Sequence, residues 1–266
     1  MSNVRNDLRL GMPDSLAPLE IEAKVEEVGV GKVGMAVSKV LVLAVLAGAF
    51  IAFGGMYFCI FLGDATMPFA VQRAVGGLCF CLGLVLVLCC GAELFTGNNL
   101  MTLALMDKKI TIKGMLTNWV IVYIGNLIGS ILLAFVLAKS GLYADAVLDK
   151  AMAVAQAKVG MPFSAALIRG ILCNMLVVLA CWMQAGAKDM IGKIFAIWFP
   201  IMLFVFAGFE HSVANMTYIP LGIFLGSDVS WGQMFVNNLL PVTIGNIIGG
   251  AIIVPCVYYY AYIYKK

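Results

Sequence analysis

The chain has 266 residues, of which 63% are hydrophobic and only 12% charged, with a mean hydropathy of +1.02. A soluble domain carries about a quarter charged residues, so the excess apolar surface points to lipid as the solvent. The formal net charge of +3 is too small to suggest a nucleic-acid partner, and no basic stripe is present, so none is expected.

Residues 1 to 34 are polar and show no cleavable signal peptide, and the first long apolar run starts near Gly34. Acidic and apolar residues alternate at roughly helical spacing over 16–30, which predicts a short amphipathic helix at the membrane surface. Six segments then reach the roughly 20 apolar residues that a spanning helix needs: about 35–62, 70–106, 116–138, 165–187, 191–225 and 236–263. The second and fifth are too long for simple spans, and both carry polar interruptions. The domain reading is a cytoplasmic segment 1–34 followed by a six-span channel domain over 35–264.

An even number of spans places both termini on one side. With the termini inside, the inner segments hold twelve Lys and Arg, namely Arg5, Arg9, Lys24, Lys32, Lys39, Lys108, Lys109, Lys113, Lys188, Lys193, Lys265 and Lys266. The outer segments hold four, at Arg73, Lys139, Lys150 and Lys158. That bias predicts cytoplasmic termini. The longest outer connection, about 139–164, joins spans three and four.

The two halves resemble each other, over about 35–138 and 165–263. Asn118 precedes GNLIG at 125–129 by seven residues, and Asn238 precedes GNIIG at 245–249 by seven. In the long spans, Gly91, Glu93 and Asn98 match Gly208, Glu210 and Asn215, at an offset of 117 residues against 120 for the asparagine motifs. Three spans per half make the second half an inverted copy of the first, a plan that uses discontinuous helices near the midplane. The fold class expected is therefore all-α integral membrane, with helices two and five broken.

Unwound backbone survives in hydrocarbon only where it finds polar partners or lines a cavity. Glu93, Thr96 and Asn98 are the candidates in the first break; Glu210, Ser212 and Asn215 are those in the second. Half-helix N-termini also project positive dipole ends, which favour an anion. Glu93 and Glu210 read as structural acceptors for the loop N–H groups, because a carboxylate facing an anion path repels the permeant. His211 is the only histidine in the chain, and its place in the break favours a pore role over helix packing. Asn174, inside span four, either orients the imidazole or donates to the permeant. Arg169 reads as snorkelling to the outer interface. The eight cysteines, at 59, 79, 81, 89, 90, 173, 181 and 256, include no CxxC pair and no zinc-ligand spacing. They read as helix filler, so no metal or cofactor is expected.

GAELFTGN at 91–98, RGILCNMLVVLACWM at 169–183, GFEHSVANM at 208–216 and NNLLPVTIGNIIGG at 237–250 resemble the signature segments of the formate/nitrite transporter family. The resemblance runs from about Val33 to Tyr264. It implies an aquaporin-like fold, a homopentamer in the cell membrane, a separate pore in each protomer, and passage of formate, nitrite or hydrosulfide. By motif position it implies that His211 is the central pore histidine, Thr96 the loop threonine, Asn174 the neighbouring asparagine and Lys158 the vestibule lysine. Leu94 and Phe95 then fall on one side of the constriction, and Phe80, Leu84 and Phe204 narrow the pore elsewhere. Glu93, Glu210, Asn98 and Asn215 support the loops. Two departures from the family pattern, Gly97 after Thr96 and a charge at Arg169, bear on substrate choice.

Formate is the expected permeant, with nitrite or hydrosulfide as the alternative, and a proton offered by His211 is the expected coupling step. Rival classes fit less well. A water channel lacks its Asn-Pro-Ala motifs here, and a redox enzyme lacks haem or metal ligands. A cation channel needs Glu93 and Glu210 turned inward.

Overall fold

The computed structural model describes residues 15–64 and 66–264, and its regular elements are helices. Six of them are long and apolar enough to cross a membrane: Val37–Gly63, Phe69–Cys90, Ile112–Lys139, Phe163–Gly186, Met190–Ala207 and Trp231–Tyr262. We number the elements α1 Pro18–Gly34, α2 Val37–Gly63, α3 Phe69–Phe80, α4 Leu82–Cys90, α5 Phe95–Asn98, α6 Met101–Met106 and α7 Ile112–Lys139. There follow α8 Asp145–Val159, α9 Phe163–Gly186, α10 Met190–Ala207, α11 Ser212–Phe224 and α12 Trp231–Tyr262, which includes π-type turns at Met234–Leu239 and Ile248–Ile253.

The two long apolar runs are each interrupted. The second span stops at Cys90, where Gly91 turns left-handed (φ 79°) and an extended residue, Leu94, leads into α5. The fifth stops at Ala207, where Gly208 turns left-handed (φ 75°) and an extended His211 leads into α11. A side chain at either glycine would be strained, so glycine is what lets the helix end at this depth.

Two helix pairs pack at backbone distance. On α7, a Cβ at Gly125 would lie 2.4 Å from Ala44 Cβ, and one at Gly129 would lie 1.9 Å from Val45 O on α2. On α12, a Cβ at Gly245 would lie 2.3 Å from Leu167 O, and one at Gly249 would lie 2.1 Å from Ile171 O on α9. The two G-x-x-x-G runs thus do the same work in both halves, by letting neighbouring backbones touch where lipid offers no hydrophobic drive to associate.

The connection at 139–164, expected as the longest on the outer side, contains α8. Its Ala151, Ala155 and Val159 are buried at helical spacing, and Ala155 meets α11 where Gly222 leaves room for its methyl. The amphipathic helix forms as α1, extending to Gly34. Ile21 and Val25 enter a cluster with Leu100, Leu103, Val178 and Trp182. The same buried face carries two carboxylates one turn apart, Glu22 and Glu26. Glu26 is paired with Lys109, which also holds Asp107 at 3.0 Å.

Burial, and then the neighbouring Glu26 carboxylate, push the Glu22 carboxyl up to about 7 from an ordinary 4.5. Asp107 adds to that rise, and Lys109 opposes it. A carboxyl raised on docking favours the docked helix fully below its ordinary value, and the contribution is lost as pH rises through the docked value. Docking of α1 is therefore expected to weaken from about pH 4.5 to about pH 7. Hydrogen exchange of the α1 amides, corrected for intrinsic rates, checks this: protection falls with pH in the native chain and does not in Glu22→Gln.

Candidate functional site

The break before α5 exposes backbone donors that the helix no longer satisfies. Glu93 N–H donates to Leu43 O of α2 at 3.2 Å. Asn126 of α7 takes the next set: its Oδ1 accepts Phe95 N–H at 2.9 Å, while its Nδ2 donates to Glu93 O at 2.9 Å and Ala44 O at 2.8 Å. The second break repeats the pattern. Glu210 N–H donates to Arg169 O at 3.2 Å, and Asn246 Oδ1 accepts Ser212 N–H at 2.9 Å. Asn246 Nδ2 donates to Glu210 O at 2.9 Å and Gly170 O at 2.8 Å. All of these asparagine side chains are buried.

The two glutamates, expected from sequence to accept from the loop N–H groups, do not; Asn126 and Asn246 accept there instead. The glutamates accept from side chains. Glu93 accepts from Asn98 Nδ2 at 2.7 Å and from Lys32, and Asn98 Nδ2 also reaches Asn118 Oδ1 at 2.9 Å. Glu210 accepts from Asn215 Nδ2 at 2.7 Å and from Lys158 Nζ at 2.7 Å, and Asn215 Nδ2 reaches Asn238 Oδ1 at 2.8 Å. Each buried carboxylate is thus matched with one lysine, which is the condition for holding charge at depth. Lys32 comes from α1 and Lys158 from α8.

The breaks meet at His211. Its Nε2 lies 2.8 Å from Thr96 Oγ1 of α5, and its Nδ1 accepts Ala214 N–H at 3.1 Å, which makes it the N-cap of α11. The ring stacks on Phe204 at 5.8 Å between centroids. Asn174 does not touch the imidazole. Its Nδ2 donates to Asn99 Oδ1 at 2.7 Å, to Asn246 O at 2.8 Å and to Thr96 O at 3.3 Å, so it reaches His211 only through the Thr96 backbone.

Three cavities adjoin in a row along this meeting point. A cavity of about 330 Å³ on the α1 side is lined by Lys24, Lys32, Lys193, Glu93 and Leu94. A pinch of about 10 Å³, at most the room of one water, is lined by Leu84, Leu94, Phe80, Ile201, Phe204 and His211. A cavity of about 50 Å³ follows, lined by Phe80, Phe204, His211, Arg73, Lys158 and Tyr218. Leu94 is shared by the first pair, and Phe80, Phe204 and His211 by the second.

Of the expected constriction residues, Phe80, Leu84, Leu94 and Phe204 fall at the pinch. Phe95 lines none of these cavities and packs edge-on against Tyr123 and Trp119 of α7. Residues that sequence reasoning left unassigned are Asn126, Asn246, Lys32 and Arg73. Arg73 donates to Phe206 O at 2.8 Å and Val205 O at 3.0 Å, closing the carbonyl end of α10. For the two asparagines a signal existed, since they share the 120-residue offset of the repeat.

A six-span helical protein with two interrupted spans and a row of cavities ending on cations belongs to the transporter and channel class. Comparison with known proteins narrows this. The family model for Formate/nitrite transporter matches residues 19–260. The chain is 45% identical over 245 residues to the probable formate transporter of Methanothermobacter thermautotrophicus, covering 85% of this chain and 89% of that one. It is 38% identical to the formate channel FocA of Escherichia coli strain K12, covering 94% and 95%. A solved pentameric formate channel with formate bound superposes with a TM-score of 0.77 at 34% identity, covering 86% of this chain and 98% of that one. The chain belongs to the formate/nitrite transporter family.

Because Asn126 and Asn246 each hold three backbone groups, Asn126→Ala or Asn246→Ala is expected to cost about 3 kcal/mol, near 1 kcal/mol per hydrogen bond. Asn246→Asp, which keeps the acceptor but turns a buried carboxylate oxygen against Gly170 O and Glu210 O, is expected to cost at least as much. Unfolding midpoints in detergent measure both effects.

Proposed function

We propose that the protein is a channel for small monovalent anions, formate first among them, with one pore in each protomer of a homopentamer. The observation that carries this reading is the row of cavities with a lysine at each end and a histidine at the apolar pinch. Lys24, Lys32 and Lys193 in one vestibule and Arg73 and Lys158 in the other exceed the charge of Glu93 and Glu210, and that excess raises the local anion concentration by focusing positive potential between low-dielectric walls. The carboxylates beside them do not repel the permeant, because each is spent on its lysine and asparagine.

Residues 1–34 form the cytoplasmic segment and 35–264 the channel domain, with the α1 side facing the cytoplasm of a cell-membrane protein, as the Lys and Arg bias supports. Arg5, Arg9, Lys265 and Lys266 of that bias lie outside the described residues. At the pinch, Phe80, Leu84, Leu94 and Phe204 offer no hydration to a bare charge, so the permeant crosses as a neutral acid. The proton is exchanged at His211, which Thr96 holds in place and Asn174 supports from behind. Formate is favoured over nitrite or hydrosulfide by the names carried by the relatives above.

Flux in proteoliposomes tests this, with formate, nitrite, hydrosulfide and acetate compared at matched gradients while internal pH is followed. Formate is expected to move fastest, with a matching pH change. Faster nitrite or hydrosulfide moves the chain to another branch of the family, and no anion flux from folded protein contradicts the channel reading.

A further inference from the structure

Both ring nitrogens of His211 are engaged within the protein. A backbone N–H can only donate, so Nδ1, which accepts from Ala214 N–H at 3.1 Å, must present its lone pair. The neutral ring then carries its proton on Nε2 and donates it to Thr96 Oγ1 across 2.8 Å. Stacking on Phe204 fixes the ring plane. No nitrogen is left over for the permeant.

The cap on α11 is an addition to what the break requires. Asn246 already serves Ser212 N–H, just as Asn126 serves Phe95 N–H in the other half. At the position that matches His211, the N-cap of α5 is Leu94, which provides no side-chain cap. The repeat therefore holds a break without this bond, and its presence in one half alone ties a titratable ring to the first turn of a helix.

We propose that His211 takes up a second proton only when the first turn of α11 releases Nδ1, so that proton exchange and opening of that turn are one event. A proton added to Nδ1 while α11 is capped sets one N–H against another, and Ala214 N–H loses its acceptor. The proposal rests on the channel reading for its consequence, whereas the tautomer stands without it. The charged and titratable groups facing the ring are Lys158 from α8, Arg73 from α3 and Tyr218 from α11, which line the same cavity. Glu210, next in the chain, is held by Lys158 and Asn215. On the pinch side the facing residues are apolar.

The chain has a single histidine, so ¹⁵N-labelled histidine gives one assignable pair of ring signals by solid-state NMR in liposomes. The expected result at neutral pH is a pyridine-type Nδ1 and a pyrrole-type Nε2. Ala214→Pro, which has no N–H to donate, is expected to shift the ring to mixed tautomers and to raise the rate of formate-coupled proton movement several-fold. His211→Asn keeps a capping acceptor in its Oδ1 but no exchangeable ring proton, and is expected to fold and lose the coupling. A pyrrole-type Nδ1 in the native chain overturns the proposal, whether as the other tautomer or as the doubly protonated ring. Unchanged ring signals in folded Ala214→Pro overturn it as well. The NMR result needs no permeant, so it separates failure of this proposal from failure of the formate reading.

Discussion

Unwound backbone inside a membrane must find hydrogen-bond partners within the protein, because lipid offers none. Everything near the centre of this molecule answers that constraint. Asn126 and Asn246 reach across from the third and sixth spans to hold the backbone on both sides of each break. They can do so because Gly125, Gly129, Gly245 and Gly249 bring those spans into backbone contact with α2 and α9. Close packing and polar satisfaction are thus one design: a methyl at Gly129 would push α7 away from α2, and the Asn126 amide would lose Ala44 O.

Charge is handled by the same economy. Two buried carboxylates sit beside the breaks, each with one lysine and one asparagine side chain. In α1, Lys32 does for the first half what Lys158 does from α8 for the second. The surface helix is therefore an integral part of the lattice, because without it Glu93 keeps only its Asn98 partner among these side-chain contacts. Breaking one partner of such a buried pair leaves an uncompensated charge, which costs about 3–5 kcal/mol.

The six spans, the all-helical class and the family were legible in the sequence, since long apolar runs and motif order depend on local composition. The Asn118 and Asn238 pair was also visible as a matched offset. What was not legible depends on which side chains meet in space. Glu93 and Glu210 read as acceptors for loop N–H groups, and only the packing of α7 and α12 reveals that the neighbouring asparagines have that task. Lys32 read as one charge among twelve, because its partner lies 61 residues away. Phe95 read as a constriction beside Leu94, yet the short helix α5 turns adjacent side chains to different sides and sends Phe95 towards Trp119 and Tyr123. The helix α8 was hidden because half of its apolar residues are alanines, a weak signal between two strong spans.

The central claim is that the buried carboxylate beside each break is locked to one lysine at depth. A double-mutant cycle on Lys158→Met and Glu210→Gln, read as unfolding free energy in bicelles, tests it most directly. The lattice predicts that either single change is strongly destabilising and that the double variant costs far less than the sum, since it leaves no unpaired charge. Additive costs would mean that the two side chains are neighbours without being partners, and would contradict the account.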